Sequence, residues 1–250
     1  MLHRLLVSTA AALFTASFAS AQTADEIVAK YVAARGGMEK LKAVTSMRMT
    51  GTMTVGPGME APVTLEMKRP KSTRIDFTLQ GLTGTQAYDG TTAWAVMPFQ
   101  GKKDPEALPA EQAKIMDDQA DFDGQLVDYK EKGNTVELVG KEQVEGTDAY
   151  KLKVTNKDGE VRYHFLDAEY FLEIRTEASR TIRGTQMEFE SSIGDYKEVG
   201  GLMFPHSIES GPKGSPQKQK LTITKIELNP EIDDARFKMP AVTTAPAPPK

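Results

Sequence analysis

Residues 63–70 read Val-Thr-Leu-Glu-Met-Lys-Arg-Pro. Apolar and polar residues alternate along this stretch, which is the period of a β-strand with one buried face. Arg69 has the same parity as the apolar residues, so in a regular strand its guanidinium points to the same side as their side chains. A guanidinium removed from water is costly unless a partner offsets its desolvation. The stretch therefore predicts a half-buried strand whose last cation needs a partner inside the fold.

The period of two continues over most of the chain. Apolar residues alternate with polar ones in segments 47–55, 75–79, 85–97, 136–154, 161–174, 187–208 and 221–228. Turn sequences such as Asp89-Gly90 and Asp158-Gly159 separate several of these segments in the manner of hairpins. A shift of parity between Ile223 and Ile226 predicts a β-bulge. We expect roughly ten or eleven strands in a single large, strongly curved antiparallel sheet, and a fold class that is mainly β (α+β).

Two helices are predicted to cover this sheet, one at its start and one inserted midway. Thr23, with Glu26 three positions on, is typical of a helix start, and Gly36-Gly37 ends that helix. Residues 38–44 add a helical turn or two, and residues 110 to about 121 predict the inserted helix. Helices over a half-closed barrel leave an apolar pocket between the two layers, which is a common small-molecule site. The alternative is that the helices seal the core completely.

Composition and the two termini narrow the classes of protein. The chain of 250 residues has no cysteine, which excludes thiol catalysis and thiolate metal sites, and its net charge of −4 argues against a dedicated nucleic-acid binder. Residues 1–21 combine a basic start, an apolar run and a small-residue site, and so predict a secretory signal peptide cleaved after Ala21. A membrane anchor is the alternative, but the apolar run is short for one. We expect an exported protein with one domain over residues 22–240 and a disordered Pro/Ala-rich tail over residues 241–250.

The sequence shows no constellation typical of a catalytic or metal site. His164 alternates with Tyr163 and Phe165 and is predicted to be exposed, whereas His206 is predicted to be partly buried. Zinc generally needs three or four ligands, so we expect no metal. The acidic run 117–124 lacks the ligand positions of a calcium loop and is interpreted as a solvated helix end and loop. Because a serine elbow, a phosphate loop and a dinucleotide motif are all missing, we expect a non-enzyme without a cofactor; a hydrolytic enzyme is the less favoured alternative.

Four stretches carry a family resemblance. They are residues 44–51 (Val-Thr-Ser-Met-Arg-Met-Thr-Gly), 67–70 (Met-Lys-Arg-Pro), 88–94 (Tyr-Asp-Gly-Thr-Thr-Ala-Trp) and 234–240 (Asp-Ala-Arg-Phe-Lys-Met-Pro). In this order they resemble the LolA/LolB family of lipoprotein carriers of the bacterial periplasm, over most of residues 23–240. The resemblance implies an unclosed antiparallel barrel with a helical lid over an apolar cavity that shelters acyl chains. The chain is longer than the carrier at its C-terminus and lacks a lipid-anchoring cysteine, so it does not resemble the membrane-anchored acceptor.

The resemblance also implies a role for Arg69. In the carriers, the arginine of the Lys-Arg-Pro stretch reaches backbone groups of the lid and holds the closed form. The matching residue here is Arg69, whose parity already predicts an inward-pointing cation. We therefore expect Arg69 to be a lid latch. The alternative is a strand-end cation that extends to water beside Pro70.

Apolar residues of the strands and of the inserted helix are the candidates for the cavity lining. These candidates are Met47, Met49, Met53, Val63, Leu65, Met67, Ile75, Phe77, Leu79, Trp94, Ile115 and Met116. Each methylene of an acyl chain that leaves water contributes about 0.8 kcal/mol, and flexible methionine side chains suit ligands of variable shape. The alternative is that they are ordinary core residues.

Together these features predict a periplasmic carrier that shelters the acyl chains of lipids or lipoproteins and moves them across the envelope. Its partners would be those lipids or lipoproteins, with a donor protein in the inner membrane and an acceptor in the outer membrane. We expect no nucleic-acid partner. The alternative function is a non-catalytic envelope sensor or protein-binding module built on the same scaffold.

Overall fold

The computed structural model describes residues 22–56, 58–182 and 184–241. The predicted signal peptide and, apart from Ala241, the predicted tail lie outside these residues. No helix among them combines the length and the apolar character that crossing a membrane requires. The described helices are α1 (Ala24–Ala34), α2 (Met38–Ala43) and α3 (Ala110–Gln119). The described strands are β1 (Ser46–Gly56), β2 (Met59–Lys68), β3 (Ser72–Leu79), β4 (Leu82–Tyr88), β5 (Ala93–Met97), β6 (Lys102–Ala107), β7 (Thr135–Val144), β8 (Thr147–Thr155), β9 (Val161–Asp167), β10 (Glu173–Ile182), β11 (Thr185–Val199), β12 (Leu202–Pro212) and β13 (Gln219–Leu228).

The described strands form one antiparallel sheet. Its order is β6-β5-β4-β3-β2-β1-β13-β12-β11-β10-β9-β8-β7. The first strand pairs with the last, so the two halves of the chain lie side by side and each runs outwards to its own edge. Within the described residues the edge strands β6 and β7 do not pair with each other, and the sheet is therefore not closed into a barrel. This confirms the predicted mainly β class and the open antiparallel sheet.

The central strand β1 shows how the alternating sequence positions its side chains. Met47 lies opposite Met67 on β2 and opposite Leu228 on β13, so the three side chains share one face of the sheet. Leu152 of the other half joins Met47 and Met67 in the same buried cluster, beneath α1. We call this side the inner face of the sheet, and the opposite side the outer face.

The predicted bulge lies where β13 passes β1. Thr50 is opposite Lys225, but the next residue, Gly51, is opposite Ile223, so β13 holds one extra residue here. A Cβ atom on Gly51 would lie 1.9 Å from the carbonyl oxygen of Thr222, well inside van der Waals contact. Gly51 is therefore required by the close approach of the two strands.

Helix α1 covers the inner face and joins the two halves of the sheet. Its predicted capping box is present: the amide of Glu26 donates to Oγ1 of Thr23 at 3.2 Å, and the amide of Thr23 donates to Oε2 of Glu26 at 2.9 Å. Ile27, Val28 and Tyr31 are buried against strands of both halves. Burying an apolar side chain of this size contributes roughly 1.5–3 kcal/mol, so α1 is a firmly packed part of the cover.

Two segments differ from the predicted strands. Residues 102–107, which lie outside the alternating segments, form the edge strand β6. Their charged sequence has no apolar period, because an edge strand with both faces in water needs none. The alternating segment 161–174 is divided between two strands: β9 ends at Asp167 and β10 begins at Glu173, since Phe171 has a φ of 58° and turns the chain. Tyr170 lies in that turn and is 64 % exposed.

Candidate functional site

Arg69 lies at the end of β2 and contacts two parts of the helical cover. Its Nε donates to the carbonyl of Val44 at 2.7 Å and its Nη2 to the carbonyl of Leu41 at 3.1 Å, both at the C-terminal end of α2. Its Nη1 and Nη2 donate to the two carboxylate oxygens of Asp123, in the loop after α3, at 2.8 and 2.7 Å. The guanidinium also lies 4.5 Å from the centre of the Phe122 ring. One side chain thus joins β2 to α2 and to the loop that follows α3.

The environment of this pair keeps it charged. The side chain of Arg69 is 25 % exposed, and that of Asp123 is only 3 % exposed. Burial raises the pKa of Asp123, but the hydrogen bonds and charge of Arg69, with the charges of Lys132 and Lys42, outweigh it and hold the pKa below its ordinary value. Two parallel hydrogen bonds between a guanidinium and a carboxylate are among the stronger polar contacts in proteins.

On one side of the fold, α3 is attached to β3 and β4. Asp117 accepts hydrogen bonds from Lys71 at 2.5 Å and from the hydroxyl of Tyr88 at 2.8 Å. Burial, followed by the bond to Asp117, raises the pKa of Tyr88 to about 12, so the hydroxyl keeps its proton and remains a donor. Met116 is buried beside Tyr88 and Ala93, as the single large apolar anchor of the helix.

On the other side, α3 makes two charge contacts with the second half of the sheet. Lys114 forms an ion pair with Glu160 at 2.8 Å, in the turn between β8 and β9. Asp118 faces Arg162 on β9 across 3.8 Å, which is too long for a direct hydrogen bond. Helix α3 therefore spans from one half of the sheet to the other, held chiefly by polar contacts.

The register brings together the apolar residues predicted for β1, β2 and β3. Met49 lies opposite Leu65, which lies opposite Ile75, and Val63 lies opposite Phe77. The alternation places all the predicted lining residues of these strands on the inner face: Met47, Met49, Met53, Val63, Leu65, Met67, Ile75, Phe77 and Leu79. Three of them, Met47, Val63 and Met67, are buried, and the others are partly exposed. The inner face thus carries a continuous apolar surface that its cover leaves partly accessible.

Trp94 does not lie with these residues. Trp94 is opposite Ala87, and Ala87 is opposite Arg74. All three residues therefore belong to the outer face. Its indole Nε1 donates to the carbonyl of Phe237 at 2.7 Å, and its ring is 2 % exposed beneath the C-terminal segment. We therefore remove Trp94 from the proposed lining. Its neighbour Ala93 lies on the inner face, buried beside Met116.

A cleft that the sequence did not predict lies between α3 and strands β9, β10 and β11. Its volume is about 750 Å³, and a smaller cavity of about 150 Å³ adjoins it. Ile115 of α3 lines both spaces, whereas Met116 points the other way into the cluster at β4 and β5. Most of the other side chains around the cleft are polar or charged. Ile115 and Met116, both predicted to line one cavity, therefore lie in different environments.

The prediction that His164 is exposed is wrong. His164 lies opposite Leu152 on the inner face and is 5 % exposed. Its Nε2 lies 3.2 Å from Oε1 of Gln125, and its Nδ1 contacts Glu173. The error arises because this part of the sheet is covered on both faces: Phe165, on the outer face, is fully buried too. His206, predicted to be partly buried, is also 5 % exposed.

The acidic run after α3 is not simply a solvated helix end. Asp121 forms an ion pair with Lys132 at 2.6 Å, and Asp123 is the buried partner of Arg69. Composition alone could not reveal this, since the partners lie far away along the chain. Across residues 22–56, 58–182 and 184–241, no cluster of three or more histidine or acidic side chains is arranged to hold a metal ion.

Comparison with known proteins identifies the fold. No protein-family model matches the chain, and no curated protein is significantly similar to it in sequence. Among solved structures, a DUF1329 family protein from Desulfovibrio piger aligns with a TM-score of 0.61 and 11 % identity, covering 86 % of this chain and 97 % of that one. A LolA superfamily protein from Nitrosomonas europaea aligns with a TM-score of 0.57 and 17 % identity, covering 87 % and 98 %. A putative outer membrane lipoprotein-sorting protein domain from Vibrio parahaemolyticus aligns with a TM-score of 0.58 and 12 % identity, covering 85 % and 94 %.

These alignments extend over nearly the whole of the described sheet and its helices, at identities too low to carry function. They agree with the resemblance found in the four sequence stretches. The open antiparallel sheet and the helices on its inner face are the architecture that the resemblance implied. The chain therefore has a LolA-like fold, shared with the LolA superfamily protein and with the putative outer membrane lipoprotein-sorting protein domain.

Proposed function

We propose that this protein is a periplasmic carrier that shelters the acyl chains of lipids or lipoproteins on its inner face and moves them across the envelope. The observation that supports this most is the apolar surface of β1, β2 and β3, part of which packs with α1 and most of which stays partly exposed. A core that only had to stabilise the fold would be expected to bury these side chains. Each methylene that an acyl chain buries there would contribute about 0.8 kcal/mol to binding.

The polar attachment of the cover favours a lid that moves. Helix α3 contributes one large buried apolar side chain, Met116, and otherwise makes hydrogen bonds and ion pairs at the rim. Contacts of this kind can be exchanged with water at small cost, whereas a packed apolar face cannot. In this proposal Arg69 is the latch, because its bonds to Leu41, Val44 and Asp123 hold the cover closed on β2.

The proposal includes export and the absence of catalysis. The predicted signal peptide would direct the chain to the periplasm, where it would receive its cargo from an inner-membrane donor and give it to an outer-membrane acceptor. It would need no metal and no cofactor, because sheltering an acyl chain is a matter of apolar burial alone. The LolA superfamily fold is consistent with this role.

The direct test is organic extraction of the protein purified without detergent, followed by lipid mass spectrometry. We expect lipid or acylated peptide at up to one equivalent per protein. The control is an equal quantity of a non-lipid-binding periplasmic protein purified in the same way. Protein free of lipid, and unable to take up acyl chains offered to it, would contradict the carrier and favour the sensor or protein-binding alternative.

A further inference from the structure

The smaller cavity beneath α3 differs from the rest of the inner face in its chemistry. Polar groups that line it are Arg162, Arg180, Thr176, Ser191, Gln119 and Asp118. They come from β9, β10, β11 and α3, and the register places the strand residues on the inner face. Thr176 is opposite Ser191, and Ala178 is opposite both Arg162 and Phe189. This volume of about 150 Å³ is therefore rich in hydrogen-bond donors.

The two arginines are not matched by acids. Within the described residues Arg180 makes no ion pair or side-chain hydrogen bond, and its guanidinium instead lies 5.4 Å from the centre of the Phe189 ring. Burial, followed by repulsion from Arg162, lowers the pKa of Arg180. The carboxylate nearest to Arg162 is that of Asp118, at 3.8 Å. Both arginines are partly buried, and a guanidinium that is withdrawn from water without a hydrogen-bonded partner is unfavourable, so an anion in this cavity would be stabilised.

Two acidic residues that line the wider cleft, Glu160 and Glu177, already have partners. Glu160 is paired with Lys114 at 2.8 Å, and Glu177 is paired with Lys213 at 2.8 Å. Asp118 is the acid nearest to Arg162, and it is carried by α3, the helix that the proposed function makes mobile. The charge of Glu160 also attracts both arginines, but Glu160 makes its ion pair with Lys114. In the closed protein Asp118 thus partly occupies the position that an anion would take.

The cavity is continuous with the apolar part of the inner face. Along β11 the inner-face residues run from Phe189 through Ser191 to Ile193. Ile193 is opposite Ile208 on β12, which is opposite Leu221 on β13. Four residues of a strand span roughly 13 Å. Across the sheet, three strand spacings of roughly 5 Å separate β11 from β1. The donor-rich cavity and the nearest strand of the proposed acyl-binding surface therefore lie about 15 Å apart across the sheet, a distance that one long-chain amphiphile can span.

We propose that Arg162 and Arg180 bind the anionic head group of the amphiphile whose acyl chains the inner face shelters, as a phosphate or a carboxylate. Guanidinium groups offer paired donors that match both anions, and the hydroxyls of Thr176 and Ser191 add single donors. The head group displaces Asp118 from Arg162, so binding of an anionic ligand loosens α3. This inference rests on the proposed carrier function and specifies its ligand class.

The test compares ligands that share one acyl chain and differ in the head. Lysophosphatidic acid, lysophosphatidylcholine and monoacylglycerol of equal chain length are titrated below their critical micelle concentrations, with inorganic phosphate alone as the fourth probe. Wild-type protein is expected to bind lysophosphatidic acid at least tenfold more tightly than monoacylglycerol, and phosphate alone only weakly. Phosphate that binds as tightly as lysophosphatidic acid would overturn a lipid head group as the source of the anion.

Variants assign the effect to the two arginines. The change Arg162→Gln with Arg180→Gln is expected to weaken lysophosphatidic acid at least tenfold and to leave monoacylglycerol within twofold. The control Lys220→Gln with Lys225→Gln removes the same charge from side chains that are 50 % and 63 % exposed, and should change neither. Asp118→Asn removes the competing carboxylate and is expected to tighten lysophosphatidic acid severalfold. It also serves as the test if the double arginine variant does not fold.

The outcomes separate this inference from the proposed function. Equal affinity for all three amphiphiles, unchanged in the arginine and Asp118 variants, would overturn the head-group site and leave the carrier intact. Failure to bind any amphiphile, monoacylglycerol included, would overturn the carrier itself.

Discussion

At the scale of single residues, Arg69 connects elements that are distant in sequence. Its guanidinium satisfies two backbone carbonyls at the end of α2 and both oxygens of a buried carboxylate. Losing one member of a buried pair leaves the other charge uncompensated, which costs more than the net contribution of the pair. The same contacts that stabilise the closed cover would therefore control how readily it opens.

Replacing Arg69 with leucine tests the latch. We expect Arg69→Leu to lower the free energy of unfolding by about 3 kcal/mol, to speed amide exchange in α2 and in residues 110–124, and to accelerate release of a bound acyl probe. Arg69→Lys keeps the charge without the paired donors, so its stability, amide exchange and release rate should lie between those of the wild type and of Arg69→Leu. The matched control is Lys68→Leu, whose side chain bonds to Ile232 and Asp234 on the outer face. Exchange and release that match the wild type would exclude Arg69 as a latch.

Acid titration tests the partner of the latch. Because the pKa of Asp123 is lowered in the folded protein, its contribution to stability is complete above the ordinary carboxyl pKa and is lost as the pH falls through the lowered value. The melting temperature of the wild type should exceed that of Asp123→Asn by a constant margin from pH 7 to about pH 4. Below about pH 4 the difference between the two melting temperatures should shrink. A margin that stays constant down to pH 2 would show that the charge of Asp123 contributes nothing.

At the scale of elements, the two parts of the cover are held in different ways. Three residues of α1 are buried in the main core cluster, whereas α3 buries one, Met116, and is otherwise attached by polar contacts. Segments with few buried apolar contacts open at lower free energy than the global unfolding transition. We therefore expect α1 to stay fixed and α3 to move on the same inner face.

Native-state hydrogen exchange tests this difference. Amides of α3 should exchange at least tenfold faster than the central amides of α1, under conditions where the sheet remains protected. The change Met116→Ala should increase exchange in α3 without affecting α1. Equal protection of the two helices would mean that the cover moves as one body or does not move.

The segment that follows β13 covers Trp94 on the outer face of the sheet. Phe237 is 1 % exposed, and its carbonyl accepts the indole hydrogen bond of Trp94. Truncating a buried phenylalanine to alanine costs about 3–5 kcal/mol, so Phe237→Ala should lower the melting temperature and shift the emission of Trp94 to longer wavelength. Binding of an acyl ligand to the wild type should leave that emission unchanged. An emission shift on ligand binding would place the ligand near the outer face.

At the scale of the whole molecule, local sequence patterns predicted the parts that depend on alternation. The open antiparallel sheet, the capped first helix and the bulge of β13 follow from the period of two, the Thr23–Glu26 pair and the shift of parity at Ile223. The parity of Arg69 also predicted that this residue needs a partner inside the fold. The identity of that partner was not, because Asp123 lies 54 positions away and only the tertiary fold brings them together.

The failures have one physical origin. Period-two alternation predicts which side chains share a face but not which face is covered, and here both faces are covered in places. His164 was predicted to be exposed because it alternates with Phe165, but both side chains are buried. Trp94 was placed in the cavity lining, but it lies on the outer face, where the segment around Phe237 covers it. The donor-rich cavity joins three strands and a helix, and no local pattern signals such a site.

Photo-cross-linking with a fatty acid that carries a diazirine near its terminal methyl tests the central claim most directly. The labelled protein is digested and the modified residues are identified by mass spectrometry. If the inner face shelters acyl chains, the modifications will fall on its partly exposed side chains in β1, β2 and β3, such as Met49, Met53 and Phe77, and excess unlabelled fatty acid will abolish them. Modifications confined to the outer face, or spread over the surface and insensitive to competition, would contradict the account.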